Sequence, residues 1–422
     1  MIKIALIGAG QRGNIYAEQI HISEGVEIVA VVEPNEERRI IAMEAYDLKN
    51  DQAYTSSQDF FDKGKIADAI ILANMDRDHY IDAMAAMDLG YDLLLEKPIS
   101  PVMSEVMDIR EKADATGCNV IVCHVLRYTK FFSEIKQIID SGELGRVITI
   151  AHNENIGNFH MAHSFVRGNW SQAAVSSPLI MQKSCHDMDI LTWLVGSESK
   201  TISSFGDLTF FKEANAPAGS SERCLQCSVS DACRFDVKKT YLPIRGTWPA
   251  TVISDDQTEE GLLEALETSP YGRCVYRCNN DVCDNQVTLI EYKNGVTVSF
   301  NLSAFTDRMG RTIKIMCEHG EIRGDDVRNV IEVSKFTSTQ SEGYSQRVIH
   351  PAIVEGGHGG GDTELMEDFI RELKMKSPSV DNRSSIQKSV ESHIMSYAAE
   401  TSRVTGVTVD VDDIKASIIS KG

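Results

Sequence analysis

Three glycines near the start of the chain have the spacing that a dinucleotide-binding turn requires. Gly8, Gly10 and Gly13 follow the apolar run Ile2 to Ile7 in the sequence MIKIALIGAGQRG. The first glycine permits a tight turn, the second lets the backbone approach a pyrophosphate, and the third lets the next helix pack on the strand. The helix predicted from Arg12 to Ile20 would direct its free N–H groups at the anion. The predicted cradle consists of Gly8, Ala9, Gly10, Gln11, Arg12 and Gly13.

A carboxylate after the second apolar run supports this interpretation. Val26 to Val32 has the composition of the next buried strand, and Glu33 follows it, 20 residues beyond Gly13. A carboxylate at this spacing binds the ribose 2′-hydroxyl of NAD and would repel the 2′-phosphate of NADP, so NAD is favoured. Arg38 and Arg39 keep NADP as an alternative, and a flavin dinucleotide or a ligand-free turn are others.

Alternating helices and strands would position this cradle at the edge of a sheet. Apolar runs predict strands at Ala67 to Leu72, Tyr91 to Leu95 and Asn119 to Cys123, with helices between them. This pattern predicts an α/β fold for residues 1–125, with a doubly wound parallel Rossmann sheet and ligands at the carboxyl ends of its strands. Besides the glycines, the residues placed at that edge are Glu33, the segment Asn74 to His79, Glu96, Lys97, Pro98 and His124, and within the segment Asn74 and His79 are the predicted cofactor contacts.

The pattern changes in residues 126–422, where short runs alternate between apolar and polar residues. These runs predict an open, mostly antiparallel sheet in a second, α+β domain. The predicted strands are Val147 to Asn153, Thr288 to Tyr292, Val296 to Leu302, Thr312 to Cys317 and Val330 to Val333. Helices predicted at His186 to Leu194, Asp362 to Met375 and Ser385 to Val404 would cover one face of this sheet.

Several segments together resemble a known family. The glycine motif, MDLGYDLLLEKPIS and CHDMDILTWL occur in the same order in the glucose–fructose oxidoreductase, inositol dehydrogenase and rhizopine-catabolism (Gfo/Idh/MocA) family. The segment HVLRYTKFFSEIKQIIDSGELGRV is similar to that family's bridge between its two domains. The resemblance implies a Rossmann domain, a second domain with an open sheet, and homodimers or homotetramers formed through the free sheet face.

The same resemblance places the chemistry on Lys97 and His186. Lys97 would lie between the nicotinamide ribose and a substrate hydroxyl, and the Lys97–Pro98 peptide bond would be cis. An ammonium at a strand end can stabilise the alkoxide that forms as hydride leaves, and a histidine can accept the hydroxyl proton. The alternatives are a solvated lysine and a histidine bonded to backbone at a helix start. Asp187 and Asp189 also fit the dipole of that helix.

One departure from the family concerns the position four residues before His186. Members that oxidise polyols typically have an aspartate there, and this chain has Gln182, which cannot take a proton. The adjacent Lys183 would depress the pKa of His186 or bind an acidic group of the substrate. Gln182 and Lys183 are therefore included in the predicted catalytic set with Lys97 and His186.

Further polar and aromatic residues are candidates for contact with a carbohydrate. The segment HSFVRGNW contains His163, Arg167 and Trp170, a combination suited to a sugar or its carboxylate. His358 lies on a glycine-rich loop where backbone could approach a ligand. Each residue alone is more typical of a loop or a sheet surface, so the prediction concerns the group.

A cysteine-rich insertion at about residues 205–285 separates this chain from shorter family members. Cys224, Cys227 and Cys233, with Cys274 as a fourth ligand, could form a structural zinc site. An iron–sulfur cluster and a set of free thiols are the alternatives.

Composition restricts the class of partner. The net charge of −20 argues against nucleic acid and anionic membranes, and no apolar run is long enough for a membrane helix. Because Met1 leads directly into a strand, we expect a cytoplasmic protein. The leading hypothesis is an NAD(P)-dependent dehydrogenase acting on CH–OH groups of a sugar, polyol or sugar acid. An NAD-retaining glycosidase or lyase acting by transient oxidation, and a non-catalytic dinucleotide sensor, are the alternatives.

Overall fold

A parallel sheet of six strands and a mostly antiparallel sheet of nine strands form the framework of the chain. The computed structural model describes residues 1–337, 344–354, 357–375 and 382–419. Within these ranges, no helix combines the length and the apolar character needed to cross a membrane.

The first sheet is parallel throughout and buried on both faces. Its strands are β1 (Ile2–Ile7), β2 (Val26–Val32), β3 (Ala53–Tyr54), β4 (Ala69–Leu72), β5 (Asp92–Leu95) and β6 (Val120–Val122). They lie in the order β3-β2-β1-β4-β5-β6, with α1 (Gln11–His21), α2 (Glu36–Ala45), α3 (Ser57–Phe61), α4 (His79–Asp88) and α5 (Met103–Thr116) between them. In the central strands β1 and β4, residues 4–7 and 69–72 are buried because both faces are covered. The predicted Rossmann sheet is confirmed.

The second part of the chain begins with helices and strands that enclose the cleft. These elements are α6 (Lys130–Asp140), β7 (Val147–Asn155), α7 (Asn158–His160), α8 (Leu179–Gln182), α9 (Cys185–Val195) and β8 (Ser199–Asp207). Between α7 and α8 lies a π-helical segment, Met161–Arg167. Within the cysteine-rich insertion, residues 208–284, the α-helices are α10 (Val237–Tyr241) and α11 (Glu259–Thr268).

The remaining elements complete the second sheet. They are β9 (Asn285–Tyr292), β10 (Thr297–Ser303), β11 (Gly310–Cys317), β12 (Gly320–Asp325), β13 (Val330–Phe336), β14 (Tyr344–Ile349), α12 (Gly361–Lys374), α13 (Ile386–Thr405), β15 (Val409–Asp410) and α14 (Val411–Ile419). The strand order is β14-β13-β12-β11-β7-β10-β9-β8-β15, and among the described strands only the β7–β10 pairing is parallel. The predicted mostly antiparallel sheet is confirmed, and β8, β12, β14 and β15 are strands that the sequence reading missed.

Alternation along the strands gives the second sheet one covered and one open face. In β9, Gln286, Thr288, Ile290 and Tyr292 are buried, whereas Val287 and Leu289 between them are exposed. Helix α13 packs along β8 and against α9, so it covers the buried face as predicted. The neighbouring strand β8 adds Phe205, which is paired with Val287 and is 64% exposed.

Helix α12 does not pack where the sequence suggested. It was expected to cover the second sheet, but Leu365, Met366 and Phe369 join the hydrophobic cluster of β1 and α1, which includes Tyr16. The prediction was wrong because an amphipathic pattern shows that a helix has an apolar face without showing which sheet that face meets. The chain therefore returns to the first sheet after completing most of the second.

Candidate active site

The turn between β1 and α1 has the shape that a pyrophosphate would require. Gly8 has a φ of +92°, and a Cβ at this position would lie 2.6 Å from the carbonyl oxygen of Ala73. A Cβ on Gly13 would come within 1.9 Å of the Gly8 oxygen, so glycine is needed for the helix to approach the strand. A Cβ on Gly10 would meet nothing within 4 Å. The turn thus presents an open face at the N-terminus of α1, where an anion can accept hydrogen bonds from helix N–H groups.

Glu33 is buried at the carboxyl end of β2, beside this turn. Its Oε2 accepts a hydrogen bond from the Ala9 N–H at 2.9 Å, and its Oε1 accepts one from the Asn35 N–H at 3.0 Å. The Nη1 of Arg39 donates to the Glu33 carbonyl oxygen at 2.8 Å. Gln11 is exposed at the first residue of α1. Glu33 therefore has the position that recognition of a ribose hydroxyl needs, with a guanidinium close by.

Arg12 and Glu96, both predicted to contact the cofactor, are bonded to each other. The Nε of Arg12 donates to Glu96 Oε1 at 2.8 Å, and its Nη2 donates to Asp362 Oδ1 at 2.6 Å. The Tyr16 hydroxyl donates to the same Glu96 oxygen at 2.7 Å, and the Lys97 N–H donates to Glu96 Oε2 at 2.7 Å. Burial raises the pKa of Glu96, but the Arg12 and Lys97 charges outweigh burial and lower it. This network connects the glycine turn to the segment that carries Lys97.

Asn74 lies against the glycine turn, and His79 contacts the segment that carries Lys97. The Asn74 side chain donates to Asp82 Oδ2 at 2.7 Å, and the Asn74 backbone lies against Gly8. The ring Nδ1 of His79 is 2.8 Å from the carbonyl oxygen of Pro98 and the side chain is fully buried. The Lys97–Pro98 peptide bond is cis, as the family resemblance implied. His79 thus contacts the Lys97–Pro98 loop from the protein side.

Lys97 extends from the first domain to the second. Its Nζ donates a hydrogen bond to the backbone carbonyl oxygen of Gln182 at 3.2 Å. Gln182 is the last residue of α8, four residues before His186. The half-buried Lys97 ammonium is therefore fixed beside the segment that carries the predicted proton acceptor.

The Gln182 side chain points to two other residues. With its amide oriented to match its neighbours, its nitrogen donates to Asp76 Oδ2 at 3.1 Å and its oxygen accepts from Trp170 Nε1 at 2.6 Å. Asp76 is buried, and burial raises its pKa, although the nearby His79 and Lys97 act in the opposite direction. Gln182 therefore positions Lys97 through its backbone and Trp170 through its side chain.

His186 is buried in a row of imidazoles. Its ring centroid is 5.8 Å from that of His124 and 6.1 Å from that of His358, and the His124 ring is 5.9 Å from that of His393. Burial lowers the pKa of His186 well below its usual value, and the Lys97 charge lowers it further. Both effects favour the uncharged imidazole, which is the form that can accept a proton.

Lys183 lies in an ion-pair network on the second sheet. Its Nζ is 3.3 Å from Glu154 Oε1, and Arg311 Nη2 is 2.6 Å from Glu154 Oε2. The Nε of Arg311 donates to Asp187 Oδ1 at 2.8 Å, and His152 Nε2 is 2.8 Å from the same oxygen. Burial raises the pKa of Asp187, but Arg311 and His152 outweigh burial and lower it. The sequence predicted that the Lys183 charge would lower the pKa of His186. In the structure the first charge that lowers this pKa is that of Lys97.

Asp187 and Asp189 were predicted to interact with the dipole of their helix. In the structure each of them also has an ion-pair partner. Asp187 binds Arg311, as above, and Asp189 receives two hydrogen bonds from Arg127, each at 2.7 Å. Both carboxylates are buried. They fix α9 against the second sheet and the bridge segment, and through α9 they fix His186.

His163 and Arg167 lie in the π-helical segment and face the cysteine-rich insertion. The Nε of Arg167 donates to the Arg273 carbonyl at 2.8 Å, and its Nη2 donates to the Phe235 carbonyl at 2.9 Å. The Nδ1 of His163 is 3.0 Å from the Tyr241 hydroxyl. Both side chains are buried, so the structure does not bring them to the cleft as predicted. Their polar groups are used to hold the insertion.

Trp170 and His358 do lie near the predicted catalytic residues. Trp170 bonds to Gln182, as described above, and His358 is the ring neighbour of His186. The Nδ1 of His358 is 3.1 Å from Asp362 Oδ2, and His358 itself adopts a φ of +50°. Asp362 thus contacts both Arg12 and His358, which places the loop before α12 at the cleft.

The predicted zinc site is not supported. Among the described residues no group of three or more His, Cys, Asp or Glu side chains is arranged to hold a metal ion. Cys224, Cys227, Cys233 and Cys274 line one small cavity, but Cys224 Sγ accepts a hydrogen bond from Arg167 Nη2 at 3.3 Å and all four are free cysteines. Burial raises the pKa of Cys224 and of Cys274.

Two residues of the site were not identified from the sequence. Asp76 belongs to the segment Asn74 to His79 that was placed at the sheet edge, but only Asn74 and His79 were singled out there. Arg311 lies on β11 and reaches Glu154 and Asp187 from a strand far away in the sequence. Nothing in the local pattern around Arg311 distinguishes it from a surface residue.

Two family models together match most of the chain. The model described as "Oxidoreductase family, NAD-binding Rossmann fold" matches residues 2–124. The model described as "Oxidoreductase family, C-terminal alpha/beta domain" matches residues 136–388. Both models describe Gfo/Idh/MocA proteins. The first matches the part of the chain with the parallel sheet, and the second matches the part with the mostly antiparallel sheet.

Individual proteins show the same similarity. The oxidoreductase YteT of Bacillus subtilis (strain 168) is 26% identical over 327 residues, which are 74% of this chain and 75% of that protein. Inositol 2-dehydrogenase 4 of Saccharopolyspora erythraea is 27% identical over 223 residues, 52% of this chain and 61% of that enzyme. The chain thus spans about three-fifths of that dehydrogenase.

A solved structure shows that the likeness extends to the whole fold. An oxidoreductase from Agrobacterium radiobacter, crystallised with NAD⁺, L-tartaric acid and magnesium, superposes with a TM-score of 0.70 at 14% sequence identity. The superposition covers 98% of this chain and 99% of that chain.

Proposed function

The chain belongs to the Gfo/Idh/MocA family of oxidoreductases, and from this premise we propose that it is an NAD-dependent dehydrogenase of a sugar, polyol or sugar acid. The observation that carries the proposal is the hydrogen bond from Lys97 Nζ to the backbone of Gln182. It fixes an ammonium from the Rossmann domain beside the segment of the second domain that holds His186. These two side chains are what oxidation of a hydroxyl carbon requires.

The residues of the glycine turn fit a dinucleotide. Gly10 leaves open space beside the N-terminus of α1, and Glu33 presents a carboxylate at the end of β2. We assign the pyrophosphate to the N–H groups after Gly10 and the adenosine ribose to Glu33. When bound, NAD supplies the acceptor for the substrate's hydride. Glu33 favours NAD, and Arg39, bonded to the Glu33 carbonyl, is the residue that could accept the 2′-phosphate of NADP.

Lys97 acts on the oxygen of the substrate hydroxyl, and His186 acts on its proton. The Lys97 ammonium donates a hydrogen bond to the hydroxyl oxygen and stabilises the negative charge that grows on it. The uncharged His186 accepts the hydroxyl proton, and burial with the Lys97 charge keeps it uncharged at neutral pH. Gln182 acts on Lys97 as a positioning residue. Lys183, whose Nζ is 3.3 Å from Glu154 Oε1, is our candidate for binding an acidic group of the substrate.

The test combines turnover with matched variants. Purified protein is mixed with NAD and a panel of sugars, polyols and sugar acids, and the absorbance of reduced nicotinamide is followed. For any substrate found, Lys97→Met and His186→Asn should each lower kcat/KM by about 10²–10⁴-fold. The controls are Lys112→Met and His21→Asn, whose side chains lie on α5 and at the end of α1, away from the cleft.

Each alternative has its own signature in the same assay. Normal turnover in Lys97→Met or His186→Asn would overturn the assigned roles. Release of a free sugar from a glycoside without net reduced nicotinamide would indicate elimination after transient oxidation. NAD binding without turnover of any carbohydrate would indicate a sensor.

We also propose that the chain forms homodimers or homotetramers through the open face of the second sheet. Leu289 and Val287 of β9 are 51% and 44% exposed, and Phe205 of the neighbouring strand β8 extends the same apolar patch. Apolar patches of this kind are typical of subunit interfaces. Light scattering should report a multiple of the chain mass for the native protein and a monomer for Leu289→Asp. A monomeric native protein would contradict the proposal.

A further inference from the structure

A proton accepted by His186 has to leave a largely buried position before the next turnover. His186 is 5% exposed, and its Nδ1 is buried without a hydrogen-bond partner in the part of the chain that the structure describes. Gln182 cannot take a proton, and its side chain is bonded to other residues. The rings in contact with His186 are those of His124 and His358, so these two imidazoles are the candidates to receive the proton.

His124 leads into the interior of the protein. It is fully buried, and its other ring neighbour, His393, is also fully buried. The Nε2 of His393 already accepts a hydrogen bond from the Ile99 N–H at 2.9 Å. Asp189, whose Oδ1 is 3.8 Å from His124 Nε2, is bonded to Arg127. A proton passed to His124 would therefore stay in the interior, next to groups that are already paired.

His358 connects His186 with the surface. The two ring centroids are 6.1 Å apart, a separation that suits one bridging water. The His358 side chain is 40% exposed, and its Nδ1 is 3.1 Å from Asp362 Oδ2. A carboxylate at this distance accepts a hydrogen bond from Nδ1–H, which leaves Nε2 as the nitrogen that can take a proton. His358 is thus an imidazole oriented by a carboxylate and in contact with both His186 and the solvent.

The loop before α12 allows the carboxylate to approach the His358 ring. A Cβ on Gly357 would come within 2.0 Å of Asp362 Oδ2, so a residue with a side chain would displace this oxygen. His358 has a φ of +50°, a conformation that histidine adopts more readily than most residues. Asp362 is fixed in turn by its hydrogen bonds from Arg12. The arrangement of ring and carboxylate is therefore determined by the backbone and by the glycine motif.

The charges near the two rings favour transfer in one direction. Desolvation lowers the pKa of both imidazoles. At His186 the charge of Lys97 lowers the pKa further, whereas at His358 the hydrogen bond and charge of Asp362 act in the opposite direction. A proton shared between the two rings is therefore held more strongly at His358.

We propose that His358 is a further catalytic residue, which carries the hydroxyl proton of the substrate from His186 to the solvent, and that Asp362 is its positioning residue. The proposal rests on the proposed dehydrogenase function. The substrate O–H bond breaks as His186 takes the proton, while the hydride leaves the carbon for NAD. His186 becomes neutral again when Nε2 of His358 is protonated through the bridging water. His358 then gives this proton to water or to a buffer base, so one proton is released for each hydride transferred.

Chemical rescue tests proton transfer separately from structure. His358→Asn removes the titrating ring, and asparagine also tolerates the left-handed backbone conformation. With saturating NAD and the substrate found in the panel assay, its kcat in dilute buffer near pH 7 should fall about tenfold or more. Added imidazole should restore most of this loss, because it can occupy the vacated space and carry the proton. Pyrazole, a ring of the same size and a much weaker base, should restore none of it.

Two further variants serve as controls. His21→Asn, at an exposed position at the end of α1, should keep the native kcat and should not respond to imidazole. His358→Gln can still donate a hydrogen bond to Asp362 but cannot carry a proton, so it should lose kcat to the same extent as His358→Asn. Each variant should bind NAD with the native Kd, which shows that the fold and the glycine turn are intact.

The possible results separate the relay from the dehydrogenase. A native kcat in His358→Asn, or equal effects of imidazole and pyrazole on this variant, would overturn the relay. A higher KM with unchanged kcat would also overturn it and make His358 a substrate contact. If the native protein reduces NAD with no member of the panel, the dehydrogenase and the relay are refuted together. Native turnover that His358→Asn retains in full refutes the relay alone.

Discussion

Arg12 and Asp362 are separated by 350 positions in the chain and joined by two hydrogen bonds, of 2.6 and 3.1 Å. Arg12 lies inside the glycine motif, and Asp362 lies in the first turn of α12. The Asp362 side chain is 2% exposed, so water screens this pair little. The pair holds the late helix α12 against the first helix and brings His358 to the cleft.

Asp362→Ala should therefore destabilise the fold. Arg12 would keep Glu96 but lose two charge-assisted hydrogen bonds, for an expected loss of about 1–3 kcal/mol in the free energy of unfolding. Urea denaturation measures it. The control is Glu364→Ala on the same helix, because the side chains of the Lys130–Glu364 pair are 43% and 33% exposed, and such pairs contribute under about 1 kcal/mol. Equal losses in both variants would contradict a special role for Arg12 and Asp362.

Glu33 should control the choice between NAD and NADP. Glu33→Gln keeps an oxygen for the Ala9 N–H but removes the charge, so the Kd for NAD should rise about tenfold or more and the Kd for NADP should rise less or fall. Arg39 lies on α2 and keeps its bond to the backbone carbonyl of residue 33, and its charge can attract a 2′-phosphate that the Glu33 carboxylate no longer repels. Equilibrium titration with both nucleotides gives the ratio. Glu36→Gln, on the exposed start of α2, is the matched control, and an unchanged ratio in Glu33→Gln would argue against the assignment.

Replacing Gln182 should separate its backbone role from its side-chain role. Gln182→Ala keeps the carbonyl that holds Lys97, so kcat should fall less than about tenfold, far less than in Lys97→Met. Gln182→Glu would place a second carboxylate beside the buried Asp76 and should lower stability by about 1–3 kcal/mol relative to Gln182→Ala. Urea unfolding and initial rates measure the two effects. A Gln182→Glu protein as stable as Gln182→Ala would show that the Asp76 contact is absent.

His163 should make the fold sensitive to acid. Burial, followed by the Arg167 charge, lowers the pKa of His163 to about 3, below its value of about 6.5 in the unfolded chain. The unfolded state therefore gains a proton below about pH 6.5 that the folded state cannot take, and stability is lost as the pH falls. Between about pH 7.5 and pH 5 this histidine should contribute about 2 kcal/mol of that loss.

The corresponding variant is His163→Phe, which keeps a ring against Tyr271 and removes the titration. Its free energy of unfolding should fall by about 2 kcal/mol less than that of the native protein over the same pH interval. His21→Phe, at an exposed position, should follow the native protein. The same pH dependence in His163→Phe and the native protein would show that His163 is not the titrating group.

The first sheet and its glycine turn could be predicted because their constraints are local. Gly8 and Gly13 of the motif each meet a steric condition, Gly8 from Ala73 just after the neighbouring strand β4 and Gly13 from the Gly8 oxygen. The buried strands are short apolar runs whose identity does not depend on distant partners. Lys97 and His186 could be located because family motifs surround them.

The contacts made by residues of the second domain join positions that are far apart in the sequence, so no local pattern predicts them. The sequence suggested that Arg167 binds a carboxylate because no local residue identified a partner for its guanidinium. Its actual partners, the carbonyl oxygens of Phe235 and Arg273, lie 68 and 106 positions away. Likewise, the composition of α12 shows an apolar face, and only tertiary packing directs it to Tyr16. Lys183 was placed by helical spacing on the face of His186, yet the carboxylate of Glu154 draws it to the sheet.

The hydrogen bond from Lys97 to position 182 has an evolutionary consequence. Its acceptor is a main-chain carbonyl, so every amino acid at this position provides it. Substitutions at residue 182 can therefore change the neighbours of the substrate while the lysine keeps its place. Related enzymes can therefore differ at position 182, and so in the substrates that they accept, while the position of Lys97 is kept.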